Sequence, residues 1–385
     1  MRILILGGDR YLGWPASMYF SNLGHEVACV DNFIKRFWEA RLGVSPLNPI
    51  DPLVNRVDSF KEASGKDVQV YIGDLAESER FVYRVFQEFI PDVVIHLAEQ
   101  PSAPFSMRSR SDCVETHRNN IIGNLNVMFA IQKYCPDCHL IKLGTMGEYG
   151  TPNIAIEEGW LEVDHKGRKD RVLYPKKPGS FYHCSKVADS VNLEFACRAW
   201  GMRVTDLNQG VVYGSPEIDF ASEPGLHTSF HYDETFGTVL NRFMIQAIVE
   251  RPLTVYGNGS QTRGFLHIND TLQCLRIAAE NPASVGDFRV FNQFTETFSV
   301  ASLARMVVDS AVELGLKTSI ANIENPRVEQ YDHYYEAVNT SLFELGLEPM
   351  LLDTGRVQKM ISELMVEKTR INEKYFAPKT KWSFQ

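Results

Sequence analysis

The sequence has no excess of basic residues. Its 39 lysines and arginines are outnumbered by 48 aspartates and glutamates, which gives a formal net charge of −9 and an isoelectric point of 5.6. A surface with this balance repels the phosphate backbone of nucleic acids and anionic lipid headgroups. We therefore expect neither nucleic acid nor a membrane among the partners, and anionic ligands would need local arginines.

The chain also has no apolar run of the roughly 18 residues that a membrane-spanning helix needs. An apolar strand follows Met1 and Arg2 directly, so the sequence predicts no leader segment and a cytoplasmic protein. The seven cysteines have no regular spacing. Cys135 and Cys138 form a CxxC pair that no second pair follows, so we predict neither a disulfide framework nor a metal site.

A glycine-rich turn lies near the start of the chain. The apolar residues 2–6 predict a buried strand before the turn, and an amphipathic helix that stops at Gly24 follows it. A second strand then ends in Asp31. The turn consists of Gly7, Gly8, Asp9, Arg10, Tyr11, Leu12 and Gly13. Such a unit binds the pyrophosphate of a dinucleotide at the helix N-terminus, and the acid binds the adenosine ribose. Because that acid would repel a 2′-phosphate, we predict NAD as the cofactor rather than NADP.

Arg10 departs from the usual spacing, in which a third glycine occupies the middle of the turn. Its guanidinium could lie over the cofactor phosphates, or it could face solvent. The sequence leaves both interpretations open.

Tyr182 and Lys186 are four residues apart in a predicted helix that follows a polar loop at residues 151–179. Side chains at i and i+4 point the same way from a helix. A nearby ammonium favours phenolate, which would make the tyrosine a usable base near neutral pH, although this spacing also arises by chance. Thr145, at the end of a predicted strand at residues 140–143, supplies a hydroxyl partner.

With 385 residues the chain is long for one domain. Strands and helices alternate over residues 1–214, which predicts a doubly wound parallel α/β sheet of the Rossmann type with a surface insertion at residues 33–67. For residues 215–385 we expect a smaller α/β domain that binds substrate. Segments near 233–250 and 286–295 are predicted to pack back on the first domain.

In this order the motifs resemble the extended short-chain dehydrogenase/reductase superfamily of nucleotide-sugar epimerases and dehydratases. The resemblance implies that Tyr182 is the base, that Lys186 holds it and the nicotinamide ribose, and that Thr145 bonds the reacting hydroxyl. Ordinary sugar 4,6-dehydratases carry a Thr-Asp-Glu triplet for acid–base chemistry at C6 and C5. Here Met146 and Gly147 follow the threonine, and Glu148 comes one position later.

Longer strings resemble one family in particular, the UDP-sulfoquinovose synthases. They begin at Leu97, Leu143, Phe181, Asp206, Gln261 and Asn325 and read LAEQPSAP, LGTMGEYGTPN, FYH, DLNQGVVYG, QTRG and NPR. The resemblance implies that UDP-glucose and sulfite give UDP-sulfoquinovose through a 4-keto-5-ene, with NAD recycled in each turnover. It also implies a homodimer that pairs through helices near 119–134 and 185–200, and it leaves room for a protein partner that donates sulfite.

The resemblance implies further contacts with both ligands. The additional cofactor-binding residues are Asn32, Arg36, Asp74, Leu75, Leu97, Ala98, Glu99, Asn119 and Gln209. The substrate-binding residues are Gln100, Arg108, Thr145, Gln209, Thr238, Arg242, Tyr256, Gln261, Arg263 and Arg327.

The acid–base chemistry at C5 and C6 has two candidates. His183 is one, because imidazole titrates near neutrality and can also attract sulfite. Glu148 is the other, although it could instead be a structural carboxylate. Met146 leaves space for sulfite where an aspartate would repel it. Pro101 stands where we expect the family to have an arginine, so Arg108 or His183 would have to supply that charge.

Two other functions stay open at this stage. One is a UDP-sugar 4-epimerase or 4,6-dehydratase, which needs no sulfite. The other is a non-catalytic NAD-binding sensor on the same fold, against which the intact Thr145, Tyr182 and Lys186 argue, since a sensor needs none of them.

Overall fold

The computed structural model describes residues 1–327 and 334–382 of the chain. The strands in these residues are β1 (Arg2–Leu6), β2 (Glu26–Asp31), β3 (Val68–Ile72), β4 (Val93–His96), β5 (His139–Thr145), β6 (Trp160–His165), β7 (Arg168–Leu173), β8 (Arg203–Gln209), β9 (Val211–Tyr213), β10 (Leu253–Tyr256), β11 (Thr262–His267), β12 (Phe288–Gln293), β13 (Glu296–Ser299) and β14 (Ile320–Ile323). The helices are α1 (Gly13–Asn22), α2 (Ile34–Leu42), α3 (Leu53–Ser64), α4 (Glu79–Phe89), α5 (Ala103–Met107), α6 (Arg110–His117), α7 (Gly123–Tyr134), α8 (Phe181–Trp200), α9 (Val239–Ile248), α10 (Ile268–Glu280), α11 (Val300–Glu313), α12 (Thr340–Glu344) and α13 (Thr354–Met365).

Seven strands form one parallel sheet in the order β12-β8-β5-β4-β1-β2-β3. The chain moves outward in one direction from β1 to β3 and in the other from β4 onward. This is the order of a doubly wound Rossmann sheet, which binds ligands at the carboxyl ends of its strands where the order reverses. The predicted fold class is therefore confirmed.

Helices cover both faces of this sheet, which explains why β1 is apolar throughout. Ile3 and Ile5 pack with α1, α3 and α10 on one face. Leu4 and Leu6 pack with α4, α7 and α8 on the other. Successive side chains of a strand point to opposite faces, so a strand buried on both faces loses its polar alternation.

The C-terminal part has its own core, built from α9, α11 and α13 around β10 and β11. Here β9, β11 and β13 form a three-stranded sheet, and β10 pairs with β14 in parallel. β12 leaves this part of the chain and pairs with β8 at the edge of the large sheet. In the part of the chain that is described, no helix is long and apolar enough to cross a membrane.

Two segments differ from the sequence-based expectation. The polar loop predicted at residues 151–179 contains the antiparallel hairpin of β6 and β7, whose strands are mostly exposed and so carry no apolar alternation. The insertion at residues 33–67 is not only surface, because α2 and α3 bury Trp38, Arg56 and Phe60 completely.

Candidate active site

The glycine-rich turn between β1 and α1 is tightly closed. A Cβ atom at Gly13 would lie 1.9 Å from the carbonyl oxygen of Gly7, so α1 can begin this close to β1 only with glycine there. Asp31 fixes the turn, since its Oδ2 accepts a hydrogen bond from the Asp9 N–H at 2.9 Å and its Oδ1 one from the Phe33 N–H at 2.7 Å. The turn thus presents the N-terminus of α1 to a ligand.

Asp9 ties the turn to the insertion. Arg36 donates two hydrogen bonds to its carboxylate, at 2.6 and 2.9 Å, and Arg56 donates another. The structure therefore places the Arg36 guanidinium, predicted to bind the cofactor, on Asp9. Sequence reasoning missed Arg56, which is fully buried with its guanidinium 4.8 Å from the Trp14 ring. The sequence feature that could have revealed Arg56 is its position as a charged residue on the apolar face of α3.

Arg10 lies between two cavities at the carboxyl edge of the sheet. The smaller cavity is lined by Arg10 and by the predicted residues Asp31, Asn32, Leu75, Ala98 and Asn119. The larger one has a volume of about 330 Å³ and is also lined by Arg10. Nη1 of Arg10 donates to the Glu99 carbonyl at 2.5 Å, and the guanidinium lies 5.6 Å from the Trp38 ring. A dinucleotide that extends from one cavity to the other must pass this guanidinium.

Asp74 does not line the smaller cavity but bonds Asn32, which does. Its Oδ2 accepts a hydrogen bond from the Asn32 amide at 2.6 Å, and its Oδ1 accepts the Ala76 N–H at 2.7 Å. Both predicted residues therefore lie together where the adenosine end of a dinucleotide is expected.

The larger cavity brings together residues that are distant in the chain. Of the predicted site residues, it is lined by Arg10, Tyr11, Leu12, Gly13, Leu97, Glu99, Thr145, Tyr182, His183, Lys186, Gln209 and Thr238. Sequence reasoning missed Lys35, Ser229, His231, Thr235, Phe236 and Asn241, which line the same cavity. These residues come from the insertion, from the segment before α9 and, for Asn241, from α9 itself, where no motif marks them.

A π-helical turn at Arg118–Ile122 joins two edges of the site. Asn120 accepts the Gln100 N–H at 2.7 Å and donates to the Ser185 hydroxyl at 2.9 Å. Asn119 donates to the Ala98 carbonyl at 3.4 Å. Such turns are frequent at functional sites, because the extra residue re-aims side chains. The predicted substrate residue Gln100 is buried in this junction and does not line the larger cavity.

Thr145, Tyr182 and Lys186 meet on one wall of the larger cavity. β5 ends at Thr145, and Ser180 caps α8, so Tyr182 lies in the first turn of that helix. The Thr145 side chain lowers the pKa of the Tyr182 phenol by hydrogen bonding. Nζ of Lys186 donates to the Leu143 carbonyl at 2.6 Å and lies 6.0 Å from the centre of the Tyr182 ring.

Lys186 is paired with a carboxylate. Its Nζ lies 2.5 Å from Oε2 of Glu99, and both side chains are almost fully buried. Burial raises the pKa of Tyr182 well above its usual value, and Glu99 raises it further, whereas the hydrogen bond from Thr145 lowers it. The ammonium that was expected to favour the phenolate is thus itself paired with a carboxylate.

The imidazole of His183 occupies the space next to Gly147. A Cβ atom at Gly147 would lie 2.2 Å from Nε2 of His183, so any larger residue would displace the ring. The imidazole lines the larger cavity, and its centre lies 5.1 Å from that of the Tyr182 ring. A side chain from α8 thus fills the place where the triplet of ordinary dehydratases has its glutamate.

Glu148 lies behind the larger cavity and does not line it. Its carboxylate is fully buried and contacts Lys142 at 3.3 Å, Lys176, and the Ser190 hydroxyl at 3.1 Å. Burial alone would raise the pKa of Glu148, but Lys142 and Lys176 lower it to about 2. This environment suits a fixed structural anion better than a proton donor.

The same network joins β5, α8 and β8. Nζ of Lys142 lies 3.2 Å from Oδ2 of Asp206 and donates to the Ser190 hydroxyl at 3.1 Å. A lysine within an apolar strand was the sequence signal for this buried cluster. Met146 lies apart from it and packs with Tyr149 in a small apolar cluster.

The predicted substrate residues fall into two groups. Gln209 and Thr238 line the larger cavity. Arg242 is buried 5.0 Å from the Tyr256 ring, and the Gln261 amide donates to the Tyr256 carbonyl at 3.3 Å. These last three residues lie outside the wall of the larger cavity.

The remaining predicted arginines also lie outside that wall. Nη1 of Arg263 donates to the Thr262 carbonyl at 2.7 Å, and the Arg327 guanidinium lies 5.3 Å from the Trp382 ring. Arg108 pairs with Asp112 at 3.5 Å, so it does not bring a charge into the cavity near Pro101. In the described ranges, no group of three or more His, Cys, Asp or Glu side chains could hold a metal.

The sequence and the fold were compared with known proteins. The model of the NAD dependent epimerase/dehydratase family matches residues 3–292. The chloroplastic UDP-sulfoquinovose synthase of Spinacia oleracea is 48% identical over 99% of this chain and 79% of its own length. The UDP-sulfoquinovose synthase of Sulfolobus acidocaldarius is 41% identical over 99% of this chain and 98% of its own length.

Solved structures agree on the fold. The UDP-glucose 4-epimerase of Bifidobacterium longum in complex with NAD⁺ and UDP superposes with a TM-score of 0.69 at 19% identity, covering 97% of this chain and 99% of that one. From the family match and the two synthases, the chain belongs to the NAD dependent epimerase/dehydratase family and, within it, to the UDP-sulfoquinovose synthases.

Proposed function

We propose that this protein converts UDP-glucose and sulfite to UDP-sulfoquinovose. One observation carries the proposal beyond family membership, namely the imidazole of His183 in the space beside Gly147. Without an acid at position 146 or 147, ordinary 4,6-dehydration lacks both of its carboxylates. A group that can carry a positive charge stands there instead, which suits the approach of an anionic nucleophile.

NAD fits the residues of the proposed cofactor site. The tight turn at Gly13 leaves the N-terminus of α1 open to a pyrophosphate. Nε of Arg10 is buried with no hydrogen-bond partner among the described residues, and a phosphate oxygen would provide one. Asp31 stands at the end of β2, where an adenosine ribose is bound in such folds. NAD held by these residues would supply the hydride chemistry at C4 of the sugar, an oxidation at the start of the turnover and its reversal at the end.

Tyr182 removes the proton of the C4 hydroxyl in this proposal. Hydrogen bonding by Thr145 lowers the pKa of the phenol and so favours the charged form. The threonine also stands at the end of β5 in register with Gln209 of β8, and both residues line the cavity that the phenol lines. Lys186 fixes this corner through the Leu143 carbonyl.

His183 performs the proton transfers that follow. A ketone at C4 makes the C5 hydrogen acidic, so the neutral imidazole can remove it and pass it to the C6 hydroxyl, which leaves as water. This gives the 4-keto-5-ene. Hydrogen sulfite then adds to the double bond. Its sulfur forms the C6–S bond, and its proton is transferred to C5. The imidazolium form favours the approach of the sulfur anion.

The UDP moiety is assigned to the side of the cavity near Thr238 and α9. Arg242 is the principal candidate for the diphosphate, because its Nε is buried and has no hydrogen-bond partner in the described part of the chain. Arginine suits phosphate because its planar guanidinium can donate two parallel hydrogen bonds. Arg327 affects the pKa of Arg242 through its charge, so both cations act on the same region.

We also propose a homodimer that pairs through α7 and α8. These two helices expose Phe129, Val191 and Phe195 at 46%, 52% and 53% of their surface. Val114 and Ile122, on the helical segments that precede α7, are also exposed, at 48% and 41%. Exposed apolar side chains that lie together are typical of an interface.

The proposal is tested by incubating purified protein with UDP-glucose, with and without fresh sulfite. We expect a sulfonated nucleotide sugar only when sulfite is present. A 4-epimer or a 4-keto-6-deoxy sugar from UDP-glucose alone would favour an epimerase or a dehydratase instead. Activity with free sulfite would show that a donor protein is not required, and cell fractionation would test the proposed cytoplasmic location.

A further inference from the structure

Glu99 is a buried carboxylate in the catalytic cavity to which the proposed chemistry assigns no part. It follows β4 and is 2% exposed, and it lines the larger cavity. Its Oε2 lies 2.5 Å from Nζ of Lys186, which is the shortest contact of that ammonium among the described residues.

Charged groups face Glu99 from several elements. They are Lys186 of α8, Lys142 of β5, His96 of β4 and Arg10 of the glycine-rich turn. The negative charge of Glu99 also raises the pKa of Asp189 of α8. Three of these do not compete with Lys186. Lys142 is shared between two other carboxylates, Arg10 bonds the Glu99 carbonyl oxygen rather than its carboxylate, and burial lowers the pKa of His96 to about 4, so it is neutral near pH 7.

Asp189 adds little negative charge to this region. Burial and then Glu99 raise its pKa well above the ordinary value, which favours the protonated form. Among the charged groups that act on the Tyr182 phenol, Glu99 raises its pKa most, Glu148 raises it further and Lys142 lowers it.

We propose that Glu99 is the counter-ion of Lys186 and that it sets the base strength of Tyr182 by cancelling the ammonium charge that would otherwise stabilise the phenolate. This inference rests on the proposed function, in which Tyr182 removes the C4 hydroxyl proton. A phenolate beside a neutral ion pair gains less stabilisation than one beside a bare ammonium. Nζ of Lys186 contacts both Oε2 of Glu99 and the Leu143 carbonyl, so Glu99 is a positioning residue for the dyad.

The direction of the effect on Tyr182 agrees with this assignment. After burial, Glu99 is the strongest of the influences that raise the pKa of the phenol. Removal of its charge should therefore lower the pKa of the phenol, and the active base form should appear at lower pH.

The test compares the pH dependence of kcat/KM for wild type and Glu99→Gln, a change that keeps size and shape but removes the charge. We expect the acid limb of the Glu99→Gln profile to move to lower pH by about one unit or more. Glu194→Gln is the matched control, because Glu194 lies on the same helix as Lys186 but pairs with Arg198 at the surface. Its profile should coincide with that of wild type. An acid limb of Glu99→Gln that stays in place or moves to higher pH overturns the proposal.

A crystal structure of the wild-type protein provides a readout that does not depend on activity. We expect the Lys186 and Glu99 side chains to remain within 4 Å of each other, and a larger separation would overturn the counter-ion role. The crystal structure of the wild type therefore tests the counter-ion role of Glu99 even if Glu99→Gln does not fold. Wild-type protein that makes no sulfonated product would refute the proposed function, whereas active wild type with an unshifted Glu99→Gln profile would refute the counter-ion role alone.

Discussion

Adding one methyl group at position 147 tests the role of His183 without changing His183 itself. In Gly147→Ala the new Cβ would lie 2.2 Å from Nε2, and a contact that short cannot be retained. The imidazole has to give way by more than about 1 Å, because it is the end of a rotatable side chain and the neighbouring backbone is not. Displacement on that scale costs about 10²-fold in rate, and complete loss of a general acid–base costs about 10² to 10⁴-fold, or roughly 3 to 5 kcal/mol of activation free energy.

The stability of the fold should change little by comparison. Rotating one side chain away from its preferred conformation costs about 1 kcal/mol. The assay measures deuterium at C5 of the product formed in D₂O from UDP-glucose and sulfite, together with the melting temperature. We expect Gly147→Ala to lose C5 exchange and product formation together while it remains folded.

Gly179→Ala is the matched control for this experiment. It adds a methyl group near the same imidazole, but the new Cβ would lie 3.8 Å from Nδ1, an ordinary van der Waals contact. We therefore expect nearly wild-type rates. Wild-type C5 exchange in Gly147→Ala would refute the assignment of the C5 and C6 proton transfers to His183.

Three further predictions concern the cofactor, the buried network and the dimer. Arg10→Gly should weaken the binding of NAD about tenfold or more, because a charge-assisted hydrogen bond is worth about 1.5 to 3 kcal/mol, and should make that binding less sensitive to salt. The amount of NAD retained is measured as the nucleotide released on denaturation after gel filtration. Unchanged retention would place the Arg10 side chain away from the phosphates. Glu148→Gln should lower the free energy of unfolding at pH 7 by about 3 kcal/mol, because it leaves Lys142 and Lys176 short of a counter-charge. Since the folded pKa of Glu148 is depressed to about 2, its stabilisation is present above the unfolded pKa near 4.5 and is lost as the pH falls toward 2, so denaturation curves of the variant should lack this part of the pH dependence. Val191→Lys should give monomers by light scattering, whereas the control Val285→Lys changes an exposed valine outside the proposed interface and should leave the dimer intact.

The nucleotide-binding half of the molecule could be predicted from the sequence because the motifs that indicate it consist of residues close together in the chain. The glycine spacing, the acid at Asp31 and the unbroken apolar strands depend on residues close together in the chain. The same holds for Tyr182 and Lys186, whose positions on one helix follow from their spacing. Thr145 was found because it stands two residues after a strand, residues 140–143, that the apolar pattern predicts.

The parts that sequence reasoning missed depend on contacts between distant segments. Arg56 bonds Asp9 across 47 positions of the chain, and Lys142 contacts Asp206 across 64. Glu99 faces Lys186 only because β4 and α8 meet at the carboxyl edge of the sheet, so a pair assigned as base and lysine proved to include a third charge. The space beside Gly147 likewise becomes meaningful only when the His183 ring is seen to fill it.

The most direct test of the central claim is the formation of a carbon–sulfur bond by the purified protein. UDP-glucose and ³⁴S-labelled sulfite are incubated with wild-type protein that retains NAD, and Tyr182→Phe is run in parallel. We predict a nucleotide sugar that carries the label on C6 with the wild type, identified by mass and by the carbon shift of C6, and none with Tyr182→Phe. An unlabelled product, or no product at all from folded protein with bound NAD and fresh sulfite, would contradict the account.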